Sequence, residues 1–111
     1  MAISGIEVSN RIQALISEVG KCRREIESKG LEKARTAALY DAKLGNAIQV
    51  LREEGKFPAT LIEKIAKKLV ADDREKMDAA EVMYKACLTN LEALKAQMNA
   101  YQSVFRHLES I

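Results

Sequence analysis

Apolar residues recur along most of this chain at alternating steps of three and four. Val8, Ile12, Leu15, Val19, Cys22 and Ile26 form one such series near the N-terminus. Met77, Ala80, Tyr84, Cys87, Leu91, Leu94, Met98, Tyr101, Phe105 and Leu108 form another toward the C-terminus. This spacing holds side chains on one stripe of an α-helix and makes the heptad seam of paired helices. Between the two series lies Gly55-Lys56-Phe57-Pro58, a turn signal. Folding the chain back at that point sets Val8 opposite Phe105, Ile12 opposite Tyr101, Leu15 opposite Met98 and Cys22 opposite Leu91. The pattern predicts an all-α fold based on a long antiparallel helical hairpin of coiled-coil type.

Local signals set the expected boundaries within a single domain covering residues 1–111. Ser4 and Glu7 have the spacing of a capping box, in which hydroxyl and carboxylate each satisfy an orphan backbone N–H. The first helix then runs over about 5–54 and stops where Gly55 can adopt a left-handed conformation. A turn follows over 55–59. Thr60 and Glu63 have capping-box spacing again and open a second helix over about 60–109. Each helix is roughly 70 Å long at about 1.5 Å per residue.

The first helix has an irregularity. Beyond Gly30 its seam is read as Ala34, Ala37, Asp41, Leu44, Ile48 and Leu51, out of phase with the earlier series. Gly30 falls opposite Tyr84, where a missing side chain leaves room for a phenol. The alternative is that Ser28-Lys29-Gly30 ends a helix and the chain forms a three-helix bundle. Facing pairs that stay in step on both sides of Gly30 favour the continuous helix.

The seam does not account for all of the apolar surface. Ala79, Ala86, Ala93 and Ala100 recur every seven residues beside it, and Ala34, Ala38, Ala42 and Gly45 form a second ridge of small residues. A two-helix hairpin buries little core for its length, and small residues let a further helix approach closely. The expectation is a homodimer forming a four-helix bundle. Composition agrees with helices, since 31% of residues are charged and the chain has one Pro. A net charge of +2 is too small to announce a nucleic-acid or membrane partner. With no basic-then-apolar leader and no apolar run of spanning length, the expected compartment is the cytoplasm.

No residue constellation points to catalysis, a cofactor or a metal, and the chain reads as no enzyme. Cys22 and Cys87 both fall on the seam as small buried hydrophobes, about one layer apart. The mirrored register places Asp41 opposite Asp73, a pair able to hold a cation or share a proton. Solvation at the bundle edge, or pairing with neighbours such as Lys43, is the simpler reading. Ser103 and His107 share a helix face, but nothing supplies the acid and oxyanion hole that a hydrolase needs. The most interesting surface is the hairpin tip, where Arg52, Lys56, Phe57, Lys64, Lys67 and Lys68 form a candidate patch for a partner or for nucleic acid. Acidic residues interleave with these cations, and a run of mixed sign is usually a solvated, ion-paired face, with a phosphate-binding tip as the alternative. Phe57 is expected to pack onto the helix ends.

Several stretches are familiar. Ala42-Lys43-Leu44-Gly45-Asn46-Ala47-Ile48, then Gly55-Lys56-Phe57-Pro58-Ala59-Thr60-Leu61-Ile62, and the run from Leu91 to Ser103 resemble small helical proteins encoded by bacteriophages and prophages. The resemblance covers about residues 38–108 and rests on turn and helix-packing residues. It implies a setting, the cytoplasm of an infected or lysogenic bacterium, near phage recombination and replication proteins or a host factor to be inhibited. It offers no catalytic residues to carry over.

Overall fold

A computed structural model describes residues 4–110 of the chain. Among them are three α-helices and no strand: α1 (Gly5–Glu54), α2 (Ala59–Leu69) and α3 (Ala71–Glu109). The chain divides into two compact units, one of residues up to Ser28 together with those from Lys85 onward, the other of Lys29–Tyr84.

In the first unit α1 and α3 lie antiparallel. Leu15, Cys22 and Leu94 form its core, with Val19, Ile26, Leu91, Met98 and Tyr101 packed around them. Leu15 and Val8 are fully buried. The α1 N-terminus is closed by a capping box: the Glu7 amide donates to Ser4 Oγ at 3.1 Å and the Ser4 amide to Glu7 Oε2 at 3.4 Å. Each bond satisfies a donor that the first helical turn leaves without a partner.

The second unit is a hairpin. Leu51 on α1 meets Ile62 and Ala66 on α2, with Leu44, Ala47, Ile48 and Ile65 around them. Gly55 ends α1 at a φ of 66°, a conformation that costs a residue with a Cβ about 1 kcal/mol or more. The expected Thr60–Glu63 capping box is not made. The N-cap of α2 is Pro58, with no side-chain cap bond, and the Leu61 amide donates to the Pro58 carbonyl at 3.0 Å. Proline's preset φ and missing N–H suit a helix start, so the boundary moves back toward it.

The expected single helix over 60–109 is instead two helices joined at Val70, which has φ −108° and ψ 22°. The joint is a loosening rather than a turn. The Val70 amide still donates to Ala66 O at 3.2 Å, and its carbonyl accepts from the Arg74 amide at 3.1 Å. Buried positions there step as Ile62, Ala66, Val70 and Asp73, which is 4-4-3 rather than a 3-4 alternation. Such an insertion of four residues locally unwinds a heptad pattern.

Helix α1 passes through Gly30 without interruption, so the alternative break at that glycine does not occur. Its buried and half-buried positions also step 4-4-3, as Cys22, Ile26, Gly30 and Lys33, and continue through Ala37, Tyr40, Leu44, Ala47 and Leu51. This overturns the expected seam after Gly30: Ala34 and Asp41 are exposed, and Tyr40 is buried in place of Asp41. A Cβ placed on Gly30 meets Tyr84 Cε2 at 3.3 Å, tight contact with a half-buried ring that can yield toward solvent. Alanine gains about 1 kcal/mol over glycine inside a helix. Gly30→Ala is therefore expected to melt at or slightly above the parent, and Gly30→Leu several degrees below it, by circular dichroism.

Candidate interaction surface

The candidate patch lies on the hairpin of the second unit. Helix α2 carries two adjacent apolar rows. Ile62, Ala66 and the following Val70 are buried, whereas Leu61, Ile65 and Leu69 form a second row, also at four-residue steps. Ile65 is half-buried against the Leu51, Ile62 and Ala66 cluster, whereas Leu61, 44% exposed, and Leu69, 67% exposed, face outward on either side of it. Phe57 is also exposed, at 41%, and does not pack away against the helix ends as expected. A conformation that begins α2 at Pro58 holds Phe57 just outside the first helical turn.

Lys64 and Lys68 flank this row on its solvent side. Arg52, Lys56, Lys64, Lys67 and Lys68 are all exposed. Lys67 pairs with Glu63 one turn away at 3.0 Å, and Glu53 accepts a hydrogen bond from Gln49 Nε2 at 3.2 Å. Exposed ion pairs of this kind contribute little to stability, and their charges stay available to a partner. The surface is therefore an apolar row edged by lysines.

Asp41 and Asp73 do not face each other. Asp41 is exposed, whereas Asp73 is buried and accepts from Lys43 Nζ at 3.0 Å. The shift of the α1 seam to Tyr40 carries Asp41 away from the interface and brings Lys43 to its edge. Removing the cation would leave the carboxylate desolvated, so Lys43→Ala is expected to cost about 1–2 kcal/mol by urea unfolding. That value is discounted from the figure for a fully buried pair because Lys43 is half exposed. Beside this pair, the Arg74 guanidinium lies over the Tyr40 ring, 5.7 Å from its centroid, and donates to both Asp78 carboxylate oxygens at 3.2 Å. Its pKa is raised, first by the hydrogen bond with Tyr40 and then by Asp78.

Cys22 and Cys87 are free and buried. The Cys22 thiol donates to the Cys87 carbonyl at 3.5 Å and accepts from Asn90 Nδ2 at 3.7 Å, while the Cys87 thiol lies 4.0 Å from Glu25 Oε2. Ser103 and His107 are exposed near the end of α3, and the His107 carbonyl accepts from Ser110 Oγ. Among the described residues no group of three or more His, Cys, Asp or Glu side chains is placed to hold a metal ion. None of the described helices is long and apolar enough to cross a membrane. No family model, curated protein or solved structure matches the chain.

Proposed function

We propose that the chain is a non-enzymatic protein–protein interaction module. In this reading the outward row of α2, with Phe57 beside it, docks a partner whose apolar groove is rimmed by carboxylates. The observation that carries it is the exposure of Phe57, Leu61 and Leu69 next to Lys64, Lys67 and Lys68. Large apolar side chains gathered with basic residues on one short helix fit recognition of an acidic, amphipathic surface. The resemblance to phage-encoded helical proteins supplies the setting: an infected bacterial cytoplasm, with a recombination or replication protein, or an inhibited host factor, as the partner. A homodimer presents two copies of the row. The test is a Leu61→Ser/Leu69→Ser variant. Both residues are exposed, so helicity and melting point are expected to change little while capture of the partner falls at least tenfold. Undiminished capture by that variant contradicts the reading.

A second reading, nucleic-acid binding, draws support from the exposure of all five tip cations. It requires affinity that falls steeply with salt and is lost when Lys64, Lys67 and Lys68 are neutralised. Fluorescence anisotropy with labelled single- and double-stranded DNA at 50 and 200 mM salt decides it. The interaction reading predicts no such salt-steep binding.

A further inference from the structure

The two cysteines of the chain stand 65 positions apart, and the fold brings them into contact. Both lie in the first unit, Cys22 on α1 and Cys87 on α3, and they are 3% and 9% exposed. Cys22 Sγ is 3.5 Å from the Cys87 carbonyl oxygen and 3.7 Å from Nδ2 of Asn90, one turn beyond Cys87. Cys87 Sγ is 4.0 Å from Oε2 of Glu25, one turn beyond Cys22. Each sulfur therefore points across the seam into the stretch of helix that carries the other. Leucines occupy the rest of this seam, at Leu15, Leu91 and Leu94. A cysteine serving only as a small hydrophobe needs no polar partner, whereas these two sulfurs have three between them.

We infer that Cys22 and Cys87 are a redox pair, which closes a reversible disulfide between α1 and α3 on exposure to a small-molecule disulfide such as oxidised glutathione. A sulfur in contact with the Cys87 carbonyl is within a few ångströms of the Cys87 Cβ, and a χ1 rotation moves a sulfur by about 3 Å. Closure thus asks for new rotamers rather than for a displaced helix. Cys87, the more exposed of the two, reacts first. Its sulfur bonds to one sulfur of the oxidant, and the other leaves as a thiolate, which takes up the proton that Cys87 gives up beside Glu25. Cys22 Sγ then bonds to Cys87 Sγ, and the second small thiolate leaves with the Cys22 proton. Two electrons and two protons pass from the cysteines to the oxidant, which ends as two thiols.

The bond has a consequence set by connectivity. The segments of the first unit are linked only through Lys29–Tyr84, the whole of the second unit. A disulfide ties them directly, so loosening the second unit no longer frees them. Closing so long a loop also restricts the unfolded chain. Because both sulfurs are buried, the oxidant reaches them through opening of the helix pair, and closure takes minutes to hours. The proposed function does not enter this inference, which concerns the other unit.

The test equilibrates the full chain with mixtures of reduced and oxidised glutathione, in buffer and in about 6 M urea, starting from reduced and from oxidised protein. Quenched samples are alkylated and weighed by mass spectrometry. In buffer a chain of monomer mass is expected to lose two hydrogens, take up no alkylating agent and revert with dithiothreitol. The disulfide is expected to form at least tenfold more favourably in buffer than in urea, because a fold that holds the thiols together favours their bond. The oxidised chain is expected to melt about 8 °C or more above the reduced one. Cys22→Ser leaves Cys87 without a partner and is expected to stop at the glutathione adduct. A parent that stays reduced or stops at that adduct, disulfides only between chains, equal constants in buffer and urea, or a lower melting point on oxidation overturns the inference. Capture of a partner through Leu61 and Leu69 is unaffected by any of these results, and the proposed function then stands.

Discussion

Leu15→Asp is expected to abolish the cooperative thermal transition of the α1–α3 pair and to lower its helicity. Leu15 has no exposed surface and sits at the centre of the cluster with Cys22 and Leu94. Removing the leucine sacrifices about 2–5 kcal/mol of burial and leaves a cavity, and the carboxylate adds a desolvation cost of several kcal/mol. The sum approaches the whole stability of a small domain, which is about 5–15 kcal/mol. Leu91→Asp acts in the same direction but less strongly, above about 3 kcal/mol, because Leu91 is half-buried and its carboxylate can reach water. Circular dichroism melts of the two variants check the order. A Leu15→Asp protein that melts like the parent would mean that the α1 seam is assigned wrongly.

Ile62→Ala is expected to loosen α2. Ile62 and Ala66 are the buried residues of that helix, an eleven-residue segment with no side-chain cap. A helix of that length has little stability in isolation and depends on its packing. Truncating Ile62 removes most of the side chain that seats α2 on Leu51, at about 2–4 kcal/mol. The measurement is amide hydrogen exchange. Protection of α2 amides is expected to fall by at least tenfold, with a smaller change around Cys22 and Leu94, which belong to the other cluster. Unchanged protection across 62–69 contradicts this account of how α2 is held.

Features written in a few adjacent residues were legible before the structure. Ser4 with Glu7, and Gly55 after Glu54, are local devices, and they lie where α1 begins and stops. The α3 seam from Met77 to Leu108 was equally clear, because an unbroken 3-4 alternation admits one phase. Past Gly30 the α1 seam runs through Tyr40, three from Ala37 and four from Leu44, rather than through the exposed Asp41 that the sequence pattern predicts. The available signal was the 4-4-3 step around Ile26. The joint at Val70 has no glycine or proline to announce it, since a change of φ and ψ at one residue is enough. There too the 4-4-3 step was the only trace. Thr60 and Glu63 showed that capping-box spacing is insufficient when a proline two residues earlier already starts the helix.

For the candidate surface, the cations of the tip were named from sequence, but the outward row of Leu61 and Leu69 was not. Double apolar steps such as Leu61-Ile62 and Leu69-Val70 read simply as wide stripes. Which member faces the core depends on the angle at which α2 meets α1, a tertiary quantity.

The most direct test of the central claim is capture from bacterial lysate by the unmodified chain and by Leu61→Ser/Leu69→Ser in parallel, each with and without nuclease. The account predicts one stoichiometric protein, retained after nuclease and lost with the variant. Recovery that vanishes with nuclease, or that the variant does not diminish, would contradict it.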